Sequence, residues 1–203
     1  MAPSLLRRYS MKLLGVLASH GGSNLQAILD ACAMGRINAR VAVVISNNGN
    51  ALALERARQA GVPVAVINGK THPDDTLRDQ ALCGKFRSHG VEIIALAGYM
   101  KRLGSDTLNH YRGKILNVHP ALLPKFGGQG MYGHYVHEAV LAAGEIETGA
   151  TIHLVDEVYD HGAIVAQARV PVLKDDTAAT IAARVLVAEH RLYVETLAAW
   201  CRQ

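Results

Sequence analysis

Leu13-Leu14-Gly15-Val16-Leu17 runs directly into Ala18-Ser19-His20-Gly21-Gly22-Ser23-Asn24-Leu25-Gln26. A short aliphatic run, a glycine-rich turn and a helical pattern over residues 24–34 make a strand–turn–helix unit. The aliphatic run does not alternate with polar residues. A strand of that kind is covered on both faces, as in a parallel sheet held between helices. The same pattern recurs downstream. Strands are predicted at residues 41–45, 62–67, 93–97 and 115–118, and helices at 51–60 and 74–88. Asp74 stands near the start of the second helix and Gly90 just past its end, as capping chemistry requires.

Beyond residue 120 the pattern changes. A glycine-rich segment, 126–133, leads into a helix predicted over 135–142. Two longer strands follow at 148–155 and 164–172, joined through residues 156–162, and a helix over 178–200 closes the chain. The reading is an α/β fold, a doubly wound and mostly parallel sheet flanked by helices, forming one domain over residues 11–203. In such sheets ligands bind outside the carboxyl ends of the strands. The residues after Leu17, Ile45, Ala97 and Val118 are therefore the places to search for a site.

Composition narrows the function classes. Half of the 203 residues are hydrophobic and 19% are charged, the balance of a globular enzyme, and only 5% are aromatic, so aliphatic side chains build the core. The formal charge of +4 is scattered, with no basic stripe interleaved with aromatics, so no nucleic-acid partner is expected. Cys32, Cys83 and Cys201 are too few and too far apart for a disulfide framework or zinc cluster. No apolar run reaches the ~18 residues of a membrane span. Residues 1–10 lack the apolar stretch of a signal peptide and read as a disordered extension. A cytoplasmic protein with small-molecule substrates, monomeric or weakly dimeric, is the expectation.

Three segments carry possible chemistry. Around Gly21-Gly22-Ser23-Asn24, small residues let backbone approach a ligand, and a helix start offers free N–H groups for an anion. An ordinary turn with Ser23 or Asn24 as N-cap is the alternative. The spacing is neither GxGxxG nor a P-loop. In Asn117-Val118-His119-Pro120, residues two apart in a strand share a face. An amide donor for an oxyanion and a group that titrates near pH 7 would then share one space. A polar strand end is the alternative. The third segment is Asp156-Glu157-Val158-Tyr159-Asp160-His161-Gly162, either a solvated turn or a carboxylate source for His119. A carboxylate beside an imidazole favours the charged form at neutral pH. His134 and His137 can share a helical face and His153 lies on a strand, but no metal-ligand spacing is present, and no metal is expected. Asn47-Asn48-Gly49-Asn50 reads as turn chemistry.

Taken together, Gly22-Ser23-Asn24-Leu25-Gln26, Leu96-Ala97-Gly98-Tyr99-Met100, Asn117-Val118-His119-Pro120-Ala121-Leu122-Leu123-Pro124 and the 156–162 segment resemble the phosphoribosylglycinamide formyltransferase family. The resemblance runs from Lys12 to about Trp200. It implies the formyltransferase fold with a Rossmann-like N-terminal half. It also implies transfer of the formyl group of 10-formyltetrahydrofolate, a co-substrate, to the amine of glycinamide ribonucleotide in de novo purine biosynthesis. By that resemblance Asn117, His119 and Asp160 are the catalytic residues. Gly22, Ser23 and Asn24 match the phosphate loop. Leu186, Val187, Ala188 and Glu189 match the segment over the ribonucleotide, with Glu189 on the ribose. Met100, Lys101, Arg102 and Leu103, together with Asn117, Asp156, Glu157, Val158, Tyr159 and Asp160, match the folate site. The family's second folate position is usually Arg, where this chain has Lys101 followed by Arg102, and where the family has another frequent folate-contacting Arg, near Asp74 to Arg78, only Arg78 is available. The 126–134 loop is longer than in many relatives and could act as a lid with Gly128 in it. Formyltetrahydrofolate hydrolases and methionyl-tRNA formyltransferases share the Asn-x-His-Pro motif. The former carry an extra N-terminal regulatory domain and the latter a C-terminal RNA-binding one.

Overall fold

A computed structural model describes residues 11–202, so the expected extension over residues 1–10 lies outside the described residues. The elements follow the order β1 (Lys12–Leu17), α1 (Ser23–Ala33), β2 (Ala39–Ser46), α2 (Leu52–Gln59), β3 (Val64–Val66), α3 (Asp75–Ser88), β4 (Ile93–Leu96), α4 (Ser105–His110), β5 (Ile115–His119), α5 (His134–Ala142), β6 (Glu147–Leu154), β7 (Ile164–Pro171) and α6 (Ala178–Trp200). One seven-stranded sheet has the order β3-β2-β1-β4-β5-β6-β7. The pairs from β3 to β5 are parallel and the last two are antiparallel, in keeping with the mostly parallel sheet expected.

Apolar side chains cover both faces of the sheet. Leu25 and Ile28 of α1, Leu54 of α2 and Ile181, Val185 and Leu197 of α6 join Leu14, Val16, Val44 and Ile152 on one face. On the other, Leu82 and Phe86 of α3 and Leu108 of α4 pack with Leu17, Val43, Ile94 and Ile115. Burying a side chain of this size contributes ~1.5–3 kcal/mol, which is why the doubly covered aliphatic strands hold their places. Gly15 is part of that fit: a Cβ there would lie 2.5 Å from the Phe86 ring. Fully buried Tyr193 ties α6 across two strands, its hydroxyl 2.8 Å from the Leu116 carbonyl and 3.2 Å from that of Leu96.

Asp74 caps α3 as expected, its side chain accepting from Leu77 N–H at 2.8 Å. The Asn47–Asn50 turn is also as expected, with Asn48 Oδ1 accepting from Asn50 N–H at 3.0 Å. Helix α4 was not expected from the sequence: six residues are too few to display a helical period. The chain winds β1-β2-β3 outward on one side and then returns to lay β4 on the other side of β1. The carboxyl ends of β1 and β4 thus form the crevice where ligands bind in such sheets. The two loops leaving them touch, with Ser19 N–H donating to the Gly98 carbonyl at 3.0 Å and Ser19 Oγ accepting from Met100 N–H at 2.9 Å.

Candidate active site

The last turn of chain before α1 places Gly22 at the N-cap, with φ 71° and no side-chain cap. The Ser23 or Asn24 cap that the sequence left open is therefore absent. Only glycine fits here on two counts: φ is left-handed, and a Cβ would lie 2.7 Å from that of Ala53. No side chain caps the first N–H groups of α1, and uncapped groups at a helix start suit an anion. Arg56 was not anticipated from the sequence. Its Nε donates to the Gly21 carbonyl at 2.9 Å and its Nη1 to Gln26 Oε1 at 3.1 Å, which brings a cation to the loop.

The Asn24 side chain turns inward. Its Nδ2 donates to Glu189 Oε2 at 2.7 Å, while its own Oδ1, buried, has no donor. Glu189 on α6 is 9% exposed, and burial pushes its carboxyl up to about 6 against the opposing bond from Asn24. Of the rest of the 186–189 segment, Ala188 is buried and Val187 faces solvent at 70% exposure. The carboxyl's folded pKa is above its ordinary 4.5. Its stabilising contribution is thus complete below pH 4.5 and is lost as pH rises through about 6. Above that, the folded chain carries a cost of ~2 kcal/mol. Glu189→Gln removes that cost, keeps an acceptor for Asn24 Nδ2 and supplies a donor to the orphaned Asn24 Oδ1. The variant is expected to melt several degrees above wild type at pH 7.5, with the gap closing towards pH 5. Melting curves that coincide at pH 7.5 would refute this account of the pair.

At the end of β5, Asn117 and His119 meet Asp160. His119 is 3% exposed. Its Nε2 lies 2.7 Å from the Phe126 carbonyl, which can only accept, so that nitrogen carries a proton. Its Nδ1 faces Asp160 Oδ2 at 3.5 Å. His153 repeats the arrangement from β6: Nδ1 is 2.8 Å from the Leu154 carbonyl, and Nε2 faces Asp160 Oδ1 at 3.4 Å. Asn117 Nδ2 closes the group on His153 Nε2 at 3.0 Å. One carboxylate therefore lies between two imidazoles, each of which has committed one N–H to a backbone carbonyl.

Backbone geometry sets the carboxylate in place. Asp160 has φ 55° and accepts the Gly128 N–H at 2.9 Å. Phe126, at φ 57°, turns its carbonyl towards His119. A left-handed residue other than glycine costs ~1–2 kcal/mol, which here sits beside the polar cluster. Gly127 lets the 126–128 loop lie against Asp160, since a Cβ would lie 2.4 Å from Leu123 Cδ2 and 3.2 Å from Asp160 Cβ.

Burial works against charge on both partners. For Asp160 it would raise the pKa, but the neighbouring His153 and His119 rings and the Gly128 N–H outweigh it and hold the carboxyl below its ordinary range. For His119 burial prevails, only partly offset by Asp160 and the Phe126 carbonyl, and the pKa falls below the ordinary imidazole value. This corrects the expectation that Asp160 keeps His119 charged at neutral pH. Within this site burial favours the neutral imidazole, and the groups around Asp160 favour the ionised carboxylate.

The folate-side residues expected from the sequence occupy two facing segments. Arg102, exposed, donates from Nη2 to the Glu157 carbonyl and ties 100–103 to 156–160. Lys101 is exposed, Met100 half-buried, and Leu103 packs into the core. Asp156 Oδ1 accepts the Val158 N–H at 2.8 Å, and Glu157, Val158 and Tyr159 are exposed. Arg78 is engaged with Asp75 and, at 3.2 Å, the His72 carbonyl. His137 is buried on α5 while His134 is exposed against Tyr135, so the two do not converge. Among the described residues no group of three or more His, Cys, Asp or Glu is placed to hold a metal ion, and no helix is long and apolar enough to cross a membrane.

A helix start without a side-chain cap thus follows β1, and a His–Asp–His cluster gathers at the end of β5, two strands along in the same sheet. The formyl transferase family model matches residues 11–197. Phosphoribosylglycinamide formyltransferase of Haemophilus influenzae is 43% identical over 183 residues, covering 90% of this chain and 84% of that protein. The structure of glycinamide ribonucleotide transformylase 1 from Symbiobacterium toebii superposes with a TM-score of 0.90 at 41% identity, covering 95% of this chain and 89% of that one. Within the formyl transferases, this chain belongs to the phosphoribosylglycinamide formyltransferase family. The chloroplastic relative from Arabidopsis thaliana is 43% identical over 95% of this chain, which spans 66% of that protein's length and 62% of its counterpart's from Vigna unguiculata.

Proposed function

We propose that this chain transfers the formyl group of 10-formyltetrahydrofolate to the amine of glycinamide ribonucleotide, a step of de novo purine biosynthesis. The observation that carries the reading is the Asp160 carboxylate set between His119 and His153 with Asn117 alongside. The ribonucleotide phosphate sits on the N–H groups of Gly22, Ser23 and Asn24, with Arg56 behind them, and Glu189 takes the ribose. The folate lies along residues 100–103 and 156–160.

The amine nitrogen attacks the formyl carbon, and the carbonyl electrons move onto oxygen to give a tetrahedral intermediate. Asn117 has a second amide hydrogen beyond the one aimed at His153, and this hydrogen meets the oxyanion. His119 enters neutral and takes up, through water, the proton that the attacking amine gives up, and Asp160 balances the imidazolium. Collapse breaks the bond from the formyl carbon to the folate nitrogen. His119, assisted by Asp160 and water, passes that proton to the departing nitrogen and is neutral again. Among the described residues no serine or cysteine bonds to His119, His153 or Asp160 as a nucleophile would, and the transfer is direct. The proposal includes one domain over 11–203, a cytoplasmic location, small-molecule substrates alone and a monomer or weak homodimer.

Deformylation of 10-formyltetrahydrofolate by the purified protein, with and without glycinamide ribonucleotide, tests the reading. Folate release that requires the ribonucleotide, with formylated product in equal amount, is expected. Equal release without it would make the chain a hydrolase, and no release in either condition would overturn the choice of substrates.

A further inference from the structure

Asp79 on α3 is 8% exposed and belongs to none of the segments assigned above. Its carboxylate accepts four hydrogen bonds from one short stretch of chain. They come from Gly104 N–H (3.1 Å), Asp106 N–H (2.8 Å), Thr107 N–H (3.2 Å) and Thr107 Oγ1 (2.6 Å). None of these donors is a cationic side chain. The carboxylate acts as an N-cap supplied from another helix: α4 has no side-chain cap of its own, and Asp79 takes its first free N–H groups. The fit is close, because a Cβ on Gly104 would lie 2.4 Å from Asp79 Cγ.

The stretch held by Asp79 begins where residues 100–103 end. That segment is anchored at its other end by Met100 N–H on Ser19 Oγ, and in its middle by Arg102 on the Glu157 carbonyl. The middle anchor is an exposed side chain, which holds a backbone weakly. The Ser19 anchor is one neutral bond. Asp79 is the only one of the three that brings a buried charge, and bonds to an ionised acceptor are about twice as strong as neutral ones.

We propose that Asp79 is a positioning residue for the folate side of the site. It fixes the exit of residues 100–103, and so their backbone course along the folate, without touching either substrate. The inference rests on the reading that this segment lines the folate pocket.

Steady-state kinetics on Asp79→Asn tests it, with 10-formyltetrahydrofolate and glycinamide ribonucleotide varied separately. Asparagine keeps one acceptor and turns an N–H₂ group towards the Asp106 and Thr107 donors. The KM for 10-formyltetrahydrofolate is expected to rise about tenfold, with kcat and the ribonucleotide KM within about twofold. Thr107→Val removes one of the four bonds and leaves the carboxylate in place, so a smaller rise in the same KM is expected. An unchanged folate KM, or a loss in which kcat and both KM values move together, would overturn the proposal. Should Asp79→Asn fail to fold, Thr107→Val decides by the same criterion. A wild-type protein that does not consume 10-formyltetrahydrofolate would instead overturn the reading of the pocket, and this inference with it.

Discussion

Asp160→Asn is expected to lower kcat about a thousandfold while leaving both KM values within about threefold. The substitution is conservative in every respect but charge. Asparagine tolerates the left-handed backbone at φ 55° as aspartate does, and its oxygen still accepts the Gly128 N–H. What disappears is the negative charge facing His119 at 3.5 Å and His153 at 3.4 Å. Burial already holds His119 towards its neutral form. Without the carboxylate only the Phe126 carbonyl offsets the cost of an imidazolium in that site, so the state in which charge has developed is penalised and the ground state is not. Single-turnover measurement of formyl transfer, alongside steady-state kinetics, separates the chemical step from binding. Turnover within a few-fold of wild type would remove Asp160 from the mechanism.

Asn117→Ala is expected to cost about a hundred- to thousandfold in kcat, again with little change in KM. Asn117 occupies β5 directly across from His153 on β6, and the 3.0 Å contact between their side chains fixes which way the amide points. An N–H aimed in advance at the position where the oxyanion forms needs no reorganisation during the reaction, and that is the source of its value. The fold should survive, because Asn117 is only half-buried and its loss leaves one ring nitrogen of His153 without a donor, at a cost of ~1 kcal/mol. A thermal melt within a few degrees of wild type would show this. Loss of stability without loss of turnover would reduce Asn117 to a polar strand end. The same outcome is what a non-catalytic binding module would give.

Much of this site was legible before any coordinates. Asn117 and His119 are two apart in an aliphatic run, so a strand carries both to one face. The turn after Leu17 holds small residues where a helix begins, so an anion site was readable there. Asp160 was readable only through the motif it shares with a family, since nothing local tells a catalytic carboxylate from a turn residue. His153 was read only as a histidine on a strand, because its place beside Asn117 depends on cross-strand register, in which the two pair across thirty-six residues of sequence. Arg56 and Asp79 escaped notice for the same reason. Each acts on a loop from a helix elsewhere in the chain, and neither belongs to a motif. Helix α4 escaped because six residues capped by a distant carboxylate display no period of their own.

The sequence by itself determined the layered α/β architecture, because strands buried on both faces must be aliphatic throughout and their helices must carry a single apolar stripe. It also singled out the strand ends proposed to carry the chemistry. Tertiary structure alone decided which way the His119 pKa moves. The expectation of a charged His119 followed from its neighbour Asp160, whereas the degree to which the fold removes His119 from water is a property of the whole packed molecule. At 3% exposure, burial outweighs the charge of a carboxylate 3.5 Å away. Pairing follows from chemistry that can be read residue by residue, but desolvation is the sum of everything packed around a group, and that exists only in the fold.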